Sequence, residues 1–182
     1  MSDHIHVRRL AAPDDAQIRA LAEVLCDCVA GGASVSFMQP LALDRAERFW
    51  REVADAASRG DRVLLVAEDA QGTIVGTAHL VLAQPDNQLH RADVSKMLVH
   101  RRVRRQGLAA RLMQAVEHEA LREGKSLLVL DTATGGDAER LYAALGWQRC
   151  GTIPGYALWP EGGLCGTTIF FKPLVQPAPL PA

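Results

Sequence analysis

The sequence predicts a mixed α/β fold: a mostly antiparallel central sheet with flanking helices and a central βαβ unit. Three observations carry that expectation. β-rich apolar runs at 63–68, 74–83 and 92–99 follow one another across turn-forming segments, as in an antiparallel meander. After 99 the pattern changes to strand, helix, strand, the signature of a parallel βαβ unit. Three stretches, beginning near 14, 44 and 107, repeat apolar residues at helical spacing.

The elements follow in order. Residues 5–9 alternate Ile5, His6, Val7, Arg8, which predicts a short half-buried strand. Pro13, Asp14 and Asp15 open a helix, because proline suits its first turn and acids suit its positive end. Ile18, Leu21, Leu25 and Val29 form its apolar stripe, and Gly31-Gly32 ends it. The loop GGASVSFMQP leads to a second helix at about 44–59, with Ala46, Phe49, Trp50, Val53 and Ala57 on one side. DAQG marks a hairpin between the first two meander strands. The helix of about 107–123 turns Leu108, Leu112, Ala115, Val116 and Ala120 inward and stops at Gly124. LLVL at 127–130 is continuously apolar, which predicts a strand covered on both faces. Asp137 is expected to cap a short helix carrying Ala138, Leu141 and Leu145, closed by Gly146 and Trp147. Two β runs, 148–158 and 167–174, flank the turn-rich PEGGLCG.

With 182 residues, 48% hydrophobic and 23% charged, the chain has enough apolar side chain for a full core. One domain over residues 5–174 is expected, followed by a Pro-rich tail at 175–182 that lies on the surface or frays. A net charge of −1 gives no global reason to bind nucleic acid or an anionic membrane. The segment MSDHIHVRR lacks the apolar core of a secretory signal, and no apolar run approaches the roughly 20 residues that span a bilayer, so a cytoplasmic protein is expected. The four cysteines form no C-x-x-C pair and are expected as buried or half-buried free thiols. The six histidines are scattered; His4 and His6 can share a strand face but have no third ligand nearby, so no metal is expected.

The segment that carries chemistry is Val99-His100-Arg101-Arg102-Val103-Arg104-Arg105-Gln106-Gly107-Leu108-Ala109. It joins the carboxyl end of a strand to the start of a helix, where open sheets bind ligands and free N–H groups favour an anion. Gly107 removes a side chain where a phosphate would otherwise be blocked, and four arginines in five positions add phosphate donors. Together these describe a pyrophosphate cradle. No G-K-[ST] follows and G-x-G-x-x-G is absent, so it is neither a Walker loop nor a dinucleotide fingerprint. A charge run alone is usually a solvated face; the glycine and the strand–loop–helix setting favour the cradle.

Arg104 to Ala109 resembles the R/Q-x-x-G-x-G/A motif of the GNAT (GCN5-related) N-acetyltransferases, with Ala109 as a variant of the final glycine. Tyr142 followed by Ala-Ala-Leu-Gly-Trp is similar to that family's Y-x-x-x-G-[FW] signature, and the element order agrees over about residues 5–174. The resemblance implies acetyl transfer from acetyl-CoA, as co-substrate, to a primary amine by direct attack in a ternary complex. It implies that the pantetheine arm pairs with the backbone of Met97, Leu98 and Val99, that the pyrophosphate lies on Arg105, Gln106, Gly107, Leu108 and Ala109 with Arg104 nearby, and that Tyr142 protonates the leaving thiolate. A tyrosine is a donor with an ordinary pKa of about 10. A backbone N–H from 97–99 would hold the developing oxyanion.

For the base, Asp93 stands where many relatives carry a glutamate, and Asp131 ends the next strand, so both can converge between the strands. Their bland alternatives are a strand-edge charge and a capping carboxylate, and a water relay is a third possibility. The resemblance puts loop 31–38 and Gly155-Tyr156 at the amine side, with Ser34 and Ser36 as polar contacts and Phe37 and Tyr156 as walls. The expected partner is a small-molecule amine, perceived by a monomer or homodimer, without nucleic acid or membrane. Competing readings are a protein N-terminal or lysine acetyltransferase, a non-catalytic acyl-CoA sensor, and a nucleic-acid module resting only on residues 101–105.

Overall fold

The computed structural model describes residues 5–174. Its elements are β1 (His6–Arg9), α1 (Asp15–Ala30), α2 (Leu43–Ser58), β2 (Arg62–Glu68), β3 (Ile74–Val81), β4 (Arg91–Val99), α3 (Leu108–Arg122), β5 (Leu127–Ala133), α4 (Asp137–Ala144), β6 (Gln148–Leu158) and β7 (Leu164–Pro173). Seven strands form one sheet in the order β1-β2-β3-β4-β5-β7-β6. Every neighbouring pair is antiparallel except β4–β5, which α3 connects as a βαβ crossover. The expected mixed, mostly antiparallel sheet is therefore present.

Local chemistry fixes the helices. Asp14 caps α1 through the backbone N–H of Gln17, whose side chain in turn accepts from the N–H of Asp14. Such a reciprocal box is worth about 1 kcal/mol. On one face of the sheet, α1 and α2 bury Leu21, Leu25, Trp50 and Val53 against Leu64, Val66 and Leu98. On the other, α3 packs Met113, Val116 and Ala120 against Leu65, Leu80 and Leu128, and the same cluster takes in Tyr142, Trp147 and Phe170. Gly76 of β3 lets α3 approach: a Cβ there would lie 3.1 Å from the carbonyl of Leu98 and 3.2 Å from Leu112.

Several expectations require correction. LLVL is not covered on both faces. Leu128 and Leu130 are buried under the helical layer, whereas Val129 is only half-buried and Asp131 is exposed. The reason is the reach of the second layer: α1 and α2 pack over β2 to β4 and leave the same face of β5 and β7 without a helix. The strand sealed on both sides is β2, buried from Val63 through Ala67. Asp137 is the first residue of α4 and does not cap it; Gly136 holds that position without a side-chain bond. The final turn is shorter than expected, since Trp159 and Gly163 already pair across it. Among the cysteines, Cys28 and Cys165 are buried and Cys26 half-buried, but Cys150 is exposed. The expected tail and His4 lie outside the described residues. Among the described residues no helix is long and apolar enough to cross a membrane, and no group of three or more His, Cys, Asp or Glu side chains is placed to hold a metal.

His79 of β3 is a buried titratable group with a directional consequence. Its ring lies 6.1 Å from that of Trp50, and Nη1 of Arg62 stands 3.0 Å from its Nε2. The guanidinium donates, so the ring proton belongs on Nδ1, which has no partner. Burial, then the charges of Arg62 and Lys96, push its pKa down to about 3. The unfolded chain takes up a proton near pH 6.5 that the folded chain refuses, so the stability present above that value is lost as pH falls toward 3. Urea unfolding measured between pH 7.5 and 4.5 should show this loss approaching a slope of one proton, and His79→Leu should flatten it.

Candidate active site

The cleft begins where two parallel strands part. β4 and β5 pair only at Arg91–Leu127, Ala92–Leu128 and Asp93–Val129. Beyond that point β4 follows β3, and the β3–β4 register slips between Thr77 and His79 so that the bulge falls at Lys96-Met97. Lys96 sits at φ 50°, in the left-handed region. The extra residue bends β4 away from β5 and leaves the facing edge without a strand partner. Leu98 is engaged with Thr77 of β3, so the backbone groups of Val99 turn to the cleft. A cavity of about 820 Å³ fills the gap, lined by Met97, Leu98 and Val99 on one side and by Leu130, Asp131 and Thr132 on the other.

One end of the cavity is the β4–α3 turn. Asp27 of α1 anchors it, accepting from the backbone N–H of Arg101 at 2.8 Å and from its Nε at 2.9 Å. Arg105 (φ 62°) and Gly107 (φ 75°) then reverse the chain into α3. No side chain caps α3 and its first turn holds no acid. Its first N–H groups and the positive end of its dipole therefore face the cavity beside Arg104, Arg105, Gly107, Leu108 and Ala109. A Cβ on Gly107 would meet no protein atom within 4 Å. Glycine serves the turn by its left-handed backbone, and the space in front of it stays open to a ligand. These features fit a pyrophosphate.

The arginines divide in a way the sequence did not reveal. Arg101 is held by Asp27 and Arg102 by Asp69, and neither lines the cavity, nor does Gln106. Arg104 folds back on the carbonyl of Val99 at 3.1 Å. Of the four arginines of this turn, Arg104 and Arg105 are thus the ones that line the cleft.

Tyr142 of α4 forms the wall between the two ends. Its ring packs about 6 Å from those of Trp147 and Phe170. The helix end holds it in place: the N–H of Gly146 bonds to the carbonyl of Ala143, and that of Trp147 to the carbonyl of Tyr142 itself. The hydroxyl has no hydrogen bond among the described residues. Burial, and secondarily the charge of Asp131, push the phenol well above its ordinary pKa, so it keeps its proton throughout the neutral and alkaline range.

The other end is roofed by residues 31–36, which line the cavity with Lys96, Asp131 and Trp159. Ser34 Oγ donates to the carbonyl of Leu158 at 3.2 Å, and the N–H of Gln39 to that of Pro160 at 3.0 Å, tying this loop to the β6–β7 arm. Asp131 accepts from Thr167 Oγ1 at 3.2 Å. Lys96 donates from Nζ to Ser36 Oγ at 3.1 Å. Ser36 (φ 74°), Lys96 and Arg105 are the three non-glycine residues with positive φ among the described residues, and all three line this one cleft. Backbone strain of this kind concentrates where function over-determines the chain.

Three expected residues stand elsewhere. Asp93 lies in an adjoining cavity of about 390 Å³ on the uncovered face, together with Tyr156; Asp131 lines both cavities. Asp93 accepts from Arg91 at 2.5 Å and Gln84 at 2.9 Å. Phe37, expected as a wall, packs edge-on against Phe49 with rings 5.3 Å apart and does not line the cleft. Sequence reasoning missed Lys96; its one signal was a lysine inside an otherwise β-forming run, the kind of residue a bulge accommodates.

A strand pair parted by a bulge, with an uncapped helix start behind it, forms a cleft with an anion-favouring end. The chain belongs to the Acetyltransferase (GNAT) family, whose profile matches residues 30–147. It is 32% identical over 129 residues, 70% of this chain and 74% of the relative, to an uncharacterized N-acetyltransferase in the hisH-hisA intergenic region of Azospirillum brasilense. Among solved structures it resembles a GCN5-related N-acetyltransferase from Kribbella flavida, with TM-score 0.75, 26% identity and coverage of 93% of this chain and 97% of that one. It also resembles a phosphinothricin acetyltransferase from Sinorhizobium meliloti in complex with acetyl-CoA, with TM-score 0.77, 16% identity and coverage of 97% and 94%.

The turn makes a structural prediction. Gly107→Ala should lower unfolding free energy by about 1 kcal/mol in urea, because the left-handed backbone penalises a Cβ even where space is open.

Proposed function

We propose that this protein transfers the acetyl group of acetyl-CoA to a primary amine of a small, amino-acid-like molecule or toxin, by direct attack within a ternary complex. The observation that carries the reading is the single cavity that runs from the uncapped start of α3, past Tyr142, to a roofed end bearing Asp131. Acetyl-CoA supplies an activated thioester whose acyl group passes to the amine while the thiol leaves. Arg104 to Ala109 would hold its pyrophosphate through backbone N–H groups and the two guanidinium groups. Met97, Leu98 and Val99 would pair with the pantetheine arm as an added strand does, with a backbone N–H of this edge holding the developing oxyanion.

Tyr142 would give its proton to the leaving thiolate, a role that suits a phenol kept protonated by burial. Asp131 would take the amine proton directly or through water. Among the described residues it lines the cleft without a cationic partner, whereas both oxygens of Asp93 are engaged by Arg91 and Gln84. We assign Asp93 a lesser part, and Tyr156 an outer contact beside it. Ser34 would contact the acceptor from the roof.

The roof also supports a small acceptor over a peptide, since loop 31–36 is tied across to the β6–β7 arm where a protein tail would need an open groove. The segments GGASVSFM, RADVSKMLV, LDTATG and IPGY resemble the tabtoxin resistance protein, a small-molecule acetyltransferase, which supports the same class. Four cysteines with no disulfide agree with a reducing, cytoplasmic setting.

Free-thiol release with acetyl-CoA and a panel of amines tests the reading; no release with any amine would remove it. Tyr142→Phe should lower kcat by about 10- to 1,000-fold with little change in the KM for acetyl-CoA, since the ring packing is kept. The wild-type kcat/KM should show no alkaline fall near pH 10, because deprotonation of Tyr142 is displaced upward. Asp131→Asn should lose more activity near neutrality than Asp93→Asn and recover at high pH, where solvent deprotonates the amine. That recovery should be steepest for side-chain amines, of which only about one in a thousand is neutral at pH 7.4.

A further inference from the structure

Of the charged groups lining the cleft that the transfer chemistry leaves without a task, Asp137 and Arg140 are paired with each other, whereas Lys96 has no acid bound to it among the described residues. It projects from the apex of the β4 bulge at φ 50°, a conformation that costs an L-residue and that glycine or asparagine would adopt more easily. The ammonium is half-buried, donates to Ser36 Oγ at 3.1 Å and lies 5.6 Å from the centre of the Phe49 ring. It forms no ion pair among the described residues; the nearest acid to influence it, Asp131, stands beyond salt-bridge distance. Behind it, Arg62 is engaged with neutral His79 and not with a carboxylate. Its positive charge adds to that felt by Lys96, and among the described residues no acid is bound to either. Burial lowers the pKa of Lys96, and Asp131 only partly restores it. A desolvated ammonium with unused donors is stabilised most by an incoming anion.

Across the same end stands Asp131, a carboxylate that accepts from Thr167 and has no cationic partner among the described residues. The two opposite charges, held apart, match a molecule that carries a positive and a negative group. We propose that Lys96 binds the carboxylate of the acceptor, so that the preferred substrates are free amino acids whose amine is turned toward Asp131. Lys96 is a specificity residue in this account: it grips a part of the substrate that does not react. The inference deepens the transfer reading above and rests on it only for the fate of the amine.

The experiment compares L-amino acids with their C-terminal amides. Loss of the carboxylate charge makes the amide's amine less basic and more often neutral, so intrinsic reactivity favours the amide. The wild type should nevertheless prefer the acid by about 10- to 100-fold in kcat/KM, the range for one charge-assisted hydrogen bond. Lys96→Met should collapse the acid-to-amide ratio to one or below, through the KM of the acid, and Lys96→Arg should retain part of the preference. The rise in Tm on adding acetyl-CoA checks that each variant is folded. A wild type without preference for the acid, or a ratio unchanged in Lys96→Met, overturns the proposal.

Calorimetric titration of the same acids into CoA-saturated protein separates this claim from the transfer reading. Acid binding that disappears in Lys96→Met, with no amine acetylated by the wild type, keeps the carboxylate site and removes the enzymatic reading. Binding that is equal in both proteins, or absent from the wild type, removes the carboxylate site.

Discussion

The parting of β4 from β5 after Asp93 is the constraint on which the site depends. A continuous parallel pair would satisfy its own backbone groups and leave no room for a ligand. Three register pairs hold the strands at one end, and the bulge at Lys96-Met97 turns β4 away at the other. The bend is kept by what lies on either side of β4. Leu98 is buried against α1 and α2, and Gly76 of β3 admits both its carbonyl and Leu112 of α3. With both faces packed, the strand cannot relax back toward β5 without opening two cores, each contributing tens of kcal/mol to a domain of this size.

From that gap the two ends of the site follow. Strand β4 ends in a turn fastened to α1 by Asp27, which aims the uncapped start of α3 into the cavity. Strand β5 presents Asp131 two residues before its end, and the next helix presents Tyr142, whose ring packs in the core on the α3 side of the sheet. The gap brings Asp131, Tyr142 and Lys96 to the walls of one cavity.

Local chemistry was the legible part of the sequence. Asp14 and Gln17 start α1, helical periodicity places Trp50 and Val116 inside, and Gly146-Trp147 stops α4 just beyond Tyr142, all within short windows. The Arg104–Ala109 turn was legible for the same reason. What escaped depends on neighbours distant in the chain. Four similar arginines cannot reveal that Asp27 and Asp69 claim two of them. LLVL carries no mark that α1 and α2 stop short of β5. Phe37 reads as a wall of the acceptor site until Phe49, twelve positions later, receives it. The bulge that lifts Lys96 into the cleft is a property of pairing with His79, not of residues 95–97 themselves.

The central claim is that the gap between β4 and β5, closed at one end by the start of α3, receives acetyl-CoA. A crystal structure of the protein with CoA tests it most directly. The account predicts pyrophosphate oxygens within hydrogen-bond distance of the N–H groups of Gly107 to Ala110, and a pantetheine amide paired with the backbone of Val99. CoA bound elsewhere, or strands β4 and β5 paired continuously past Asp93, would contradict it.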